Sequence, residues 1–484
     1  MDDITHVYGS QARTATIHRL NDDVLLDIFD CYRLDEKHIW NERNWWCKLP
    51  HVCQRWRHLL YKCAFRLGMY IKCTNLNGTR IVDMLEQLPP LPLFINYGQP
   101  RHSTALTEQE EFGIYHAIQS HDRVCHIDLE LPPSILHRVF VLPDKEFPIL
   151  EHLSISLRTT SDNILPLTLP DTFLAPNLRH LALPSIRPPR ELQLLTSTVS
   201  LVTLVLRNIE TSSYFHPRLL VTRLQSLPLL KELSLGFSTP IPRPSAEREL
   251  IGEQGAPVTL PSLKILQFKG ASHYLETLVA QTRAPRLERL WISLFNQITF
   301  VHSHQSAFAL PHLSHLINTT EAFKLPSANV FFDHNEVYIT KVHHGSLRFD
   351  KGPFLLRVMC DQLNSQIKCA SQICDSLTLA LSGVEKLTLY RHQNYWERTE
   401  LRDGAVECAT AWHDLLRSFI AVRELRINNW LMEDLAHALQ VDGVGSDLGF
   451  LPNLRSVHAL DNLFTSFIDT RQVVGRPVQF SQRF

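Results

Sequence analysis

Residues Leu178 to Leu206 read LRHLALPSIRPPRELQLLTSTVSLVTLVL, with the pattern L-x-x-L-x-L at both ends. A short strand with this pattern points its leucines to one side, because successive side chains of a strand alternate between two faces. The proline-containing segment between the two copies is typical of a connection, where the missing N–H of proline does least harm. Neither strand can bury its leucines alone, so the stretch predicts a repeat that is stable only when copies stack.

Copies of this pattern recur along most of the chain. They begin at the anchor positions Val124, Leu150, Leu178, Leu201, Leu230, Leu263, Leu287, Leu313, Val384, Val422 and Leu454. Up to Leu313 the anchors are spaced at roughly 26 residues, which is typical of leucine-rich repeats. We therefore predict an α/β fold in which residues 76–484 form an irregular leucine-rich-repeat solenoid. This solenoid would be a horseshoe with a parallel sheet on its concave face.

The repeat pattern is disturbed in the later part of the chain. Residues 328–341 (ANVFFDHNEVYITK) and 345–350 (GSLRFD) alternate like strands of a wider sheet, whereas residues 355–377 (LLRVMCDQLNSQIKCASQICDSL) are typical of one or two helices. The ending at residues 469–482 (DTRQVVGRPVQFSQ) predicts a terminal strand that shields the last repeat.

A different pattern lies near the start of the chain, where residues 20–34 read LNDDVLLDIFDCYRL. Asn21 is a suitable helix cap, and Asp22 and Asp23 suit the positive end of the helix dipole. Apolar side chains then recur at helical spacing at Val24, Leu25, Ile28, Phe29 and Tyr32. The sequence therefore predicts an amphipathic helix that ends near Tyr32.

A second helix is predicted after Pro50, within residues 45–60 (WWCKLPHVCQRWRHLL). Its apolar side chains are Leu49, Val52, Cys53, Trp56, Leu59 and Leu60. Two short helices cannot bury both apolar stripes against each other. We therefore expect this segment to expose apolar surface unless the rest of the chain or a partner covers it.

These two helices resemble the F-box, the adaptor-binding module of cullin-RING ubiquitin ligases. The resemblance rests on Leu20, Asp23, Val24, Leu25, Ile28, Phe29, Leu49, Val52, Cys53, Arg55, Trp56 and Leu59, with V-C-x-x-W as its most specific part. The chain departs from the family at Asn21, where proline is usual, and in the long connection from Arg33 to Asn44.

The resemblance implies an F-box-like helical domain over residues 1–75. It also implies adaptor-binding roles, at the docking surface or in the core beneath it, for Leu20, Val24, Leu25, Ile28, Phe29, Leu49, Val52, Cys53 and Trp56. The chain would then be a substrate receptor that binds a Skp-type adaptor, and through it a cullin, while the repeats hold a protein substrate. An alternative left open is a leucine-rich-repeat scaffold without a ligase, whose N-terminal helices only cap the solenoid.

Side chains that flank the inward leucines point outward on the predicted concave face. The candidates for substrate binding are Arg207, Lys269, Arg289, Trp291, Lys386, Tyr390 and Arg426. Basic residues outnumber acidic ones there, which favours an acidic or phosphorylated protein partner. An outward tryptophan such as Trp291 either anchors an interface or packs on a neighbouring loop, and the sequence leaves both open.

Composition excludes several classes of partner. The 484 residues carry 48 Lys and Arg against 49 Asp and Glu, and a pI near 7.1 argues against a nucleic-acid binder. No apolar run approaches the roughly 20 residues of a membrane span, and the polar start of the chain lacks the features of a signal peptide. We expect a protein of the cytosol or nucleus whose ten cysteines are free thiols.

Motifs for catalysis and metal binding are missing from the sequence. There is no G-x-S-x-G, P-loop, H-E-x-x-H or kinase pattern, so we predict no enzymatic activity, no catalytic residue and no cofactor. Histidines and cysteines cluster at His51, Cys53, His58 and Cys63, but without the paired C-x-x-C spacing of zinc sites, and we predict no metal. A hydrolase or metal site built from histidines is the third hypothesis, and bound zinc would revive it.

Overall fold

The structure is a computed structural model of the whole chain. It describes residues 17–35, 45–64, 66–73, 78–87, 89–97, 107–140, 146–157, 169, 173–187, 194–210, 213–238, 257–295, 310–342, 352–360, 362–391, 405–440, 451–460 and 463–482. The chain divides into two compact units. Unit 1 comprises residues 1–129 and 146–150, and unit 2 comprises residues 130–145 and 151–484.

Unit 1 combines helices with the start of a parallel sheet. Its elements are α1 (Asp22–Asp35), α2 (Gln54–Lys62), β1 (Ile71–Cys73), α3 (Gly78–Gln87), β2 (Leu93–Tyr97), α4 (Glu108–Gln119) and β3 (Val124–Leu131), with 3-10 turns at Ile17–Arg19 and Trp45–His51. Strand β2 pairs in parallel with β1 on one side and with β3 on the other.

The starts of the two N-terminal helices follow different rules. Helix α1 begins as predicted, with the Oδ1 atom of Asn21 accepting a hydrogen bond from the N–H of Val24 at 2.8 Å. Helix α2 begins later than predicted, because Pro50 lies inside a 3-10 turn. Cys53 caps α2, and its Sγ atom accepts the N–H of Trp56 at 3.4 Å.

Strand β1 is an element that the sequence pattern did not predict. Its residues Ile71 to Cys73 pair in register with Leu93 to Ile95 of β2, and Ile71 and Cys73 are buried. The predicted domain boundary after residue 75 therefore lies between two paired strands, and the division of the chain at that boundary stays a prediction.

Unit 2 alternates strands with helices along the chain. Its elements are α5 (Pro133–Phe140), β4 (His152–Leu157), β5 (His180–Pro184), α6 (Leu194–Ser197), β6 (Thr203–Ile209), α7 (Pro217–Leu224), β7 (Glu232–Phe237), β8 (Val258–Thr259), β9 (Ile265–Gly270), α8 (Ser272–Ala280), β10 (Thr282–Arg283), β11 (Arg289–Leu294), α9 (Pro311–Thr319), β12 (Ser327–Phe332), β13 (Glu336–Val342), β14 (Phe354–Met359), α10 (Leu363–Ser376), α11 (Thr378–Leu381), β15 (Lys386–Arg391), α12 (Ala405–Arg417), β16 (Glu424–Ile427), α13 (Met432–Gln440), β17 (Ser456–His458), α14 (Thr465–Val473) and β18 (Gln479–Ser481).

The main sheet of unit 2 is long and almost entirely parallel. Its strand order is β4-β5-β6-β7-β9-β11-β14-β13-β12-β15-β16-β17-β18, and β8 and β10 form a separate parallel pair. Each predicted copy of the repeat pattern supplies one strand, except the copy at Leu313, which lies on helix α9. The leucine pattern is thus confirmed as the source of a parallel sheet in a mixed α/β fold.

One strand, β13, runs antiparallel to both of its neighbours, β12 and β14. Strand β12 pairs with β15, and the chain then runs back through β13 and β14 until β14 pairs with β11. Residues 354–359, most of which the sequence assigned to a helix, form β14 because Phe354, Leu356 and Val358 alternate toward the core. The predicted strand at residues 345–350 lies outside the described residues.

The two faces of this sheet differ. Leucines of the repeat, such as Leu181, Leu183 and Leu204, are buried on one face, which we call the buried face. The side chains between them are partly accessible and form the open face. At the end of the strand order, β18 confirms a terminal strand, while the first residues of the predicted segment belong to α14. Within the described ranges, no helix is long and apolar enough to cross a membrane.

Candidate protein-binding surfaces

Helices α1 and α2 pack through an aromatic pair. The rings of Phe29 and Trp56 meet edge to face with centroids 4.9 Å apart, and both side chains are buried. Leu25 on α1 and Leu60 on α2 are fully buried as well. The edge-to-face geometry places the positive edge of one ring on the negative face of the other, which stabilises the pair beyond its apolar contact.

Arg55 ties the start of α1 to α2. Its Nη2 atom donates to the Oδ1 atom of Asp22 at 2.6 Å and to the carbonyl of Leu20 at 2.6 Å. Both side chains of this ion pair are partly exposed, so solvent screens it and its effect on stability is small. Its role is to fix where the first turn of α1 meets α2.

The structure separates the predicted adaptor-binding residues into three groups. Leu25, Phe29 and Trp56 are buried and belong to the core. Val24, Ile28 and Val52 are exposed. Leu20, Leu49 and Cys53 are half-buried.

The exposed apolar residues of α1 form a line that we call the apolar strip. Val24, Ile28 and Tyr32 are 41%, 39% and 40% exposed and follow one another at intervals of one helical turn. They lie beside the buried stripe of Leu25 and Phe29, because the apolar face of α1 is wider than the contact that it makes. Val52, which precedes α2, is 57% exposed.

The open face of unit 2 carries the predicted substrate-binding residues in two separate places. Arg207, Lys269 and Trp291 line a groove of about 550 Å³ that crosses β6, β7, β9 and β11 and is bounded by β13 and β14. Lys386, Tyr390 and Arg426 lie on β15 and β16, on the other side of the antiparallel strands. Arg289 is exposed at the start of β11, outside the lining of the groove.

The cations on β15 and β16 are paired with one carboxylate. Glu424 accepts Lys386 Nζ at 2.8 Å and Arg426 Nη2 at 2.7 Å. Burial alone would raise the pKa of Glu424, but the hydrogen bonds and charges of Lys386 and Arg426 outweigh it and hold that pKa below its usual value. The ring of Tyr390 contacts that of Phe331, with centroids 5.4 Å apart. One carboxylate thus neutralises one of the two cations in this predicted part of the basic surface and holds both in fixed positions.

Trp291 packs on a neighbouring segment and also lines the groove. Its Nε1 atom donates to the carbonyl of Gly352 at 3.1 Å, so the indole is held against the segment that precedes β14. The ring also lines the groove and remains partly accessible. A side chain fixed in this way presents a rigid apolar surface, which loses little entropy when a partner binds.

One wall of the groove comes from residues that the sequence pattern did not single out. Arg357 on β14 pairs with Glu336 on β13 at 3.3 Å and stacks on the ring of Tyr338, with its guanidinium carbon 4.7 Å from the ring centroid. Burial and the hydrogen bond from Tyr338 to Glu336 raise the pKa of Tyr338. Alternation along residues 336–340 could have predicted that Glu336 and Tyr338 lie on the open face. It could not have predicted that β13 pairs with β14, which brings Arg357 beside them.

The described residues contain no group of three histidine, cysteine, aspartate or glutamate side chains arranged to hold a metal ion. Burial raises the pKa of Cys73 to about 12, and the thiol stays protonated, whereas a metal ligand must be a thiolate. Cys360 and Cys369 are buried with Sγ atoms 2.8 Å apart, and that contact, together with burial, raises the pKa of Cys369.

Comparisons with known proteins found similarity among solved structures. No protein-family model matches the chain, and no curated protein matches it. Among solved structures, the chain is similar to the leucine-rich repeat-containing protein LegL7 from Legionella pneumophila, at 11% sequence identity. The match covers 85% of this chain and 99% of that chain with a TM-score of 0.27.

Proposed function

We propose that this chain is a non-catalytic substrate receptor of a cullin-RING ubiquitin ligase of the SCF type. In this proposal residues 1–75 act as an F-box-like domain that binds a Skp-type adaptor, and a leucine-rich-repeat solenoid over residues 76–484 holds a protein substrate. The chain forms no bond itself. It raises the effective concentration of substrate lysines beside the conjugating enzyme, in the cytosol or nucleus.

The observation that carries this proposal is the apolar strip on α1. Val24, Ile28 and Tyr32 are exposed, while Phe29 on the same helix is already packed against Trp56. An apolar helix face that remains accessible after the core has formed is suited to a protein partner. The division into buried and exposed residues also agrees with the F-box resemblance, in which some residues of the motif form the core and others bind the adaptor.

The test is binding of the purified full chain to a purified Skp-type adaptor, measured by calorimetry. We expect Ile28→Ser to weaken binding by about 2 kcal/mol, roughly thirtyfold, without unfolding, because Ile28 is an exposed anchor. The matched control is Leu379→Ser on α11, whose side chain is 69% exposed and lies in unit 2. This control should bind the adaptor like the wild type.

A second variant separates docking from folding. Trp56→Ala should destabilise the N-terminal helices by about 3–5 kcal/mol, because it removes a buried aromatic ring, and adaptor binding should be lost with the fold. Adaptor binding that is absent in the wild type, or equal in wild type and Ile28→Ser, would contradict the receptor proposal.

A second candidate function is a protein-interaction scaffold without a ligase, in which the N-terminal helices only cap the repeats. The observation that favours it is the pairing of β1 with β2, since Ile71 to Cys73 belong to the same segment as the helices. This alternative expects no adaptor binding and an intact partner surface on the open face.

A further inference from the structure

Three cations lie in one row across the open face of unit 2. Gly236 pairs in register with Lys269, Lys269 with Ser293, and Ser293 with Arg357. Arg207 lies on the other side of Gly236, with its Cα atom 3.6 Å from the position that a Cβ atom would take there. We call Arg207, Lys269 and Arg357 the cation row. Neighbouring strands are about 4.8 Å apart, so the Cα atoms of successive members of the row are about 10 Å apart.

Two members of the cation row have no acidic partner among the described residues. Arg207 donates to the hydroxyl of Ser234 at 2.8 Å and to the side-chain oxygen of Gln267, both of which are neutral. Lys269 makes no ion pair in the described part of the chain. Only Arg357 is compensated, by a glutamate on β13. Positive charge is therefore concentrated at the Arg207 end of the groove.

The shape of the groove leaves room between the two uncompensated cations. Gly236 has no side chain and lies between Arg207 and Lys269, so it forms a low floor. Apolar surface continues from this floor across β11 to β14. Trp291 on β11 is fixed by its hydrogen bond, and Met359 on β14 is 37% exposed. The groove thus offers an anion-binding position beside a rigid apolar wall.

We propose that this groove binds an extended acidic segment of a partner protein, with one carboxylate over Gly236 between Arg207 and Lys269. A polyproline II segment repeats every three residues, or about 9.3 Å, which matches the spacing of the cation row. An acidic residue three positions further along the segment would therefore lie over Ser293, between Lys269 and Arg357. The inference rests on the proposal that the open face holds the partner, and it is independent of adaptor binding.

Charge compensation decides the position of this site on the open face. Lys386 and Arg426 share Glu424, so an incoming carboxylate would have to compete with a fixed one. Arg207 and Lys269 have no such competitor among the described residues, and their remaining N–H donors are available to a ligand. Arg207 and Lys269 therefore form the proposed site, and Lys386 and Arg426 on the same face provide a matched control.

The test is fluorescence anisotropy with purified full-length protein at low salt. The probe is a fluorescein-labelled peptide of Glu-Ala-Pro repeats, and the reference is the same peptide with Gln in place of Glu. We expect only the acidic peptide to bind. The double variant Arg207→Gln/Lys269→Gln should lose about a hundredfold in affinity, since each charge-assisted contact contributes about tenfold. The control Lys386→Gln/Arg426→Gln, with the same change in net charge, should bind like the wild type.

A further variant supplies the carboxylate from the protein itself. A Cβ atom at Gly236 has its nearest neighbours at 3.6 Å, which is ordinary contact, so a small side chain fits. Gly236→Asp should abolish peptide binding, whereas the uncharged Gly236→Asn should reduce it less. Equal binding of both peptides, equal loss in the two double variants, or binding only of a phosphoserine peptide would overturn the proposal. Adaptor binding is measured separately, so failure of one proposal does not hide the other.

Discussion

At the scale of single residues, Lys341 is a buried charge with little compensation. Its side chain on β13 is 3% exposed, and its Nζ atom donates to the carbonyl of Ala380 at 2.9 Å. Burial lowers the pKa of Lys341 from its ordinary value to about 8. At neutral pH the side chain of Lys341 is therefore mostly protonated. Its charge is buried away from water, which lowers the stability of the fold.

We predict that Lys341→Met increases the free energy of unfolding at pH 7 by about 3 kcal/mol, the equivalent of a pKa difference of roughly two units between the folded and unfolded chain. In the unfolded chain the lysine keeps a pKa of about 10.4, so between pH 8 and 10 the unfolded state binds the proton more tightly. The stability of the wild type should therefore rise with pH in that window, and the advantage of the variant should shrink.

Urea denaturation at pH 7, 8, 9 and 10 measures this difference. The control is Lys231→Met, which removes an exposed lysine and should change stability little at any of these pH values. An advantage of Lys341→Met that stays constant up to pH 10 would show that the effect comes from packing and not from the charge.

Sequence alternation predicts which side chains face outward, but not which of them are paired. It correctly placed Arg207, Lys269 and Trp291 on the open face, because the period of a strand is fixed. It could not predict that Lys386 and Arg426 share Glu424, because Lys386 reaches it only through the register of β15 with β16. Likewise, the stripe of α1 predicts an apolar face, but the crossing of α2 decides that Phe29 is buried and Ile28 exposed.

At the scale of elements, helix α9 depends on a neighbouring helix for its start. Pro311 occupies the first turn, and the cap residue Leu310 has no side-chain acceptor. The carboxylate of Glu276 on α8 instead accepts the N–H groups of His312 and Leu313 at 2.9 and 3.0 Å. Burial raises the pKa of Glu276, and these two hydrogen bonds partly offset that rise.

We predict that Glu276→Leu lowers the free energy of unfolding by about 2 kcal/mol, because it leaves the buried N–H of Leu313 and the part-buried N–H of His312 without an acceptor. The matched control is Glu276→Gln, whose amide oxygen still accepts at the helix start, and its loss should be clearly smaller. Urea denaturation gives the two values, and hydrogen exchange at the amides of α9 reports where the loss arises. Equal destabilisation by both variants would argue against capping.

The antiparallel strands show where element prediction from sequence stops. Residues 354–359 follow the period of a strand, yet the adjacent Leu355 and Leu356 and the helical residues that follow favour a helix when the stretch is considered as a whole. The pairing of β12 with β15 could not be predicted, because nothing in the sequence of either strand specifies which strand it pairs with. Strand β1 was missed because three residues are too few for a period to be recognised.

At the scale of the whole molecule, the question is whether the N-terminal helices are a separate domain or a cap. The predicted boundary at residue 75 cannot test this, because a deletion there also removes β1 and leaves the edge of β2 without its partner. An exposed strand edge promotes aggregation by itself. A deletion that ends at Gly68 removes α1 and α2 but keeps β1, and so separates the two effects.

We predict that the protein without residues 1–68 remains folded and does not aggregate, with a melting temperature close to that of the full chain, and that it no longer binds the adaptor. The protein without residues 1–75 should melt at a lower temperature and aggregate, because β2 becomes an open edge. Circular dichroism and size-exclusion chromatography with light scattering measure both. If the helices are a cap, the two deletions will aggregate alike, since the surface that α2 covers is exposed in each.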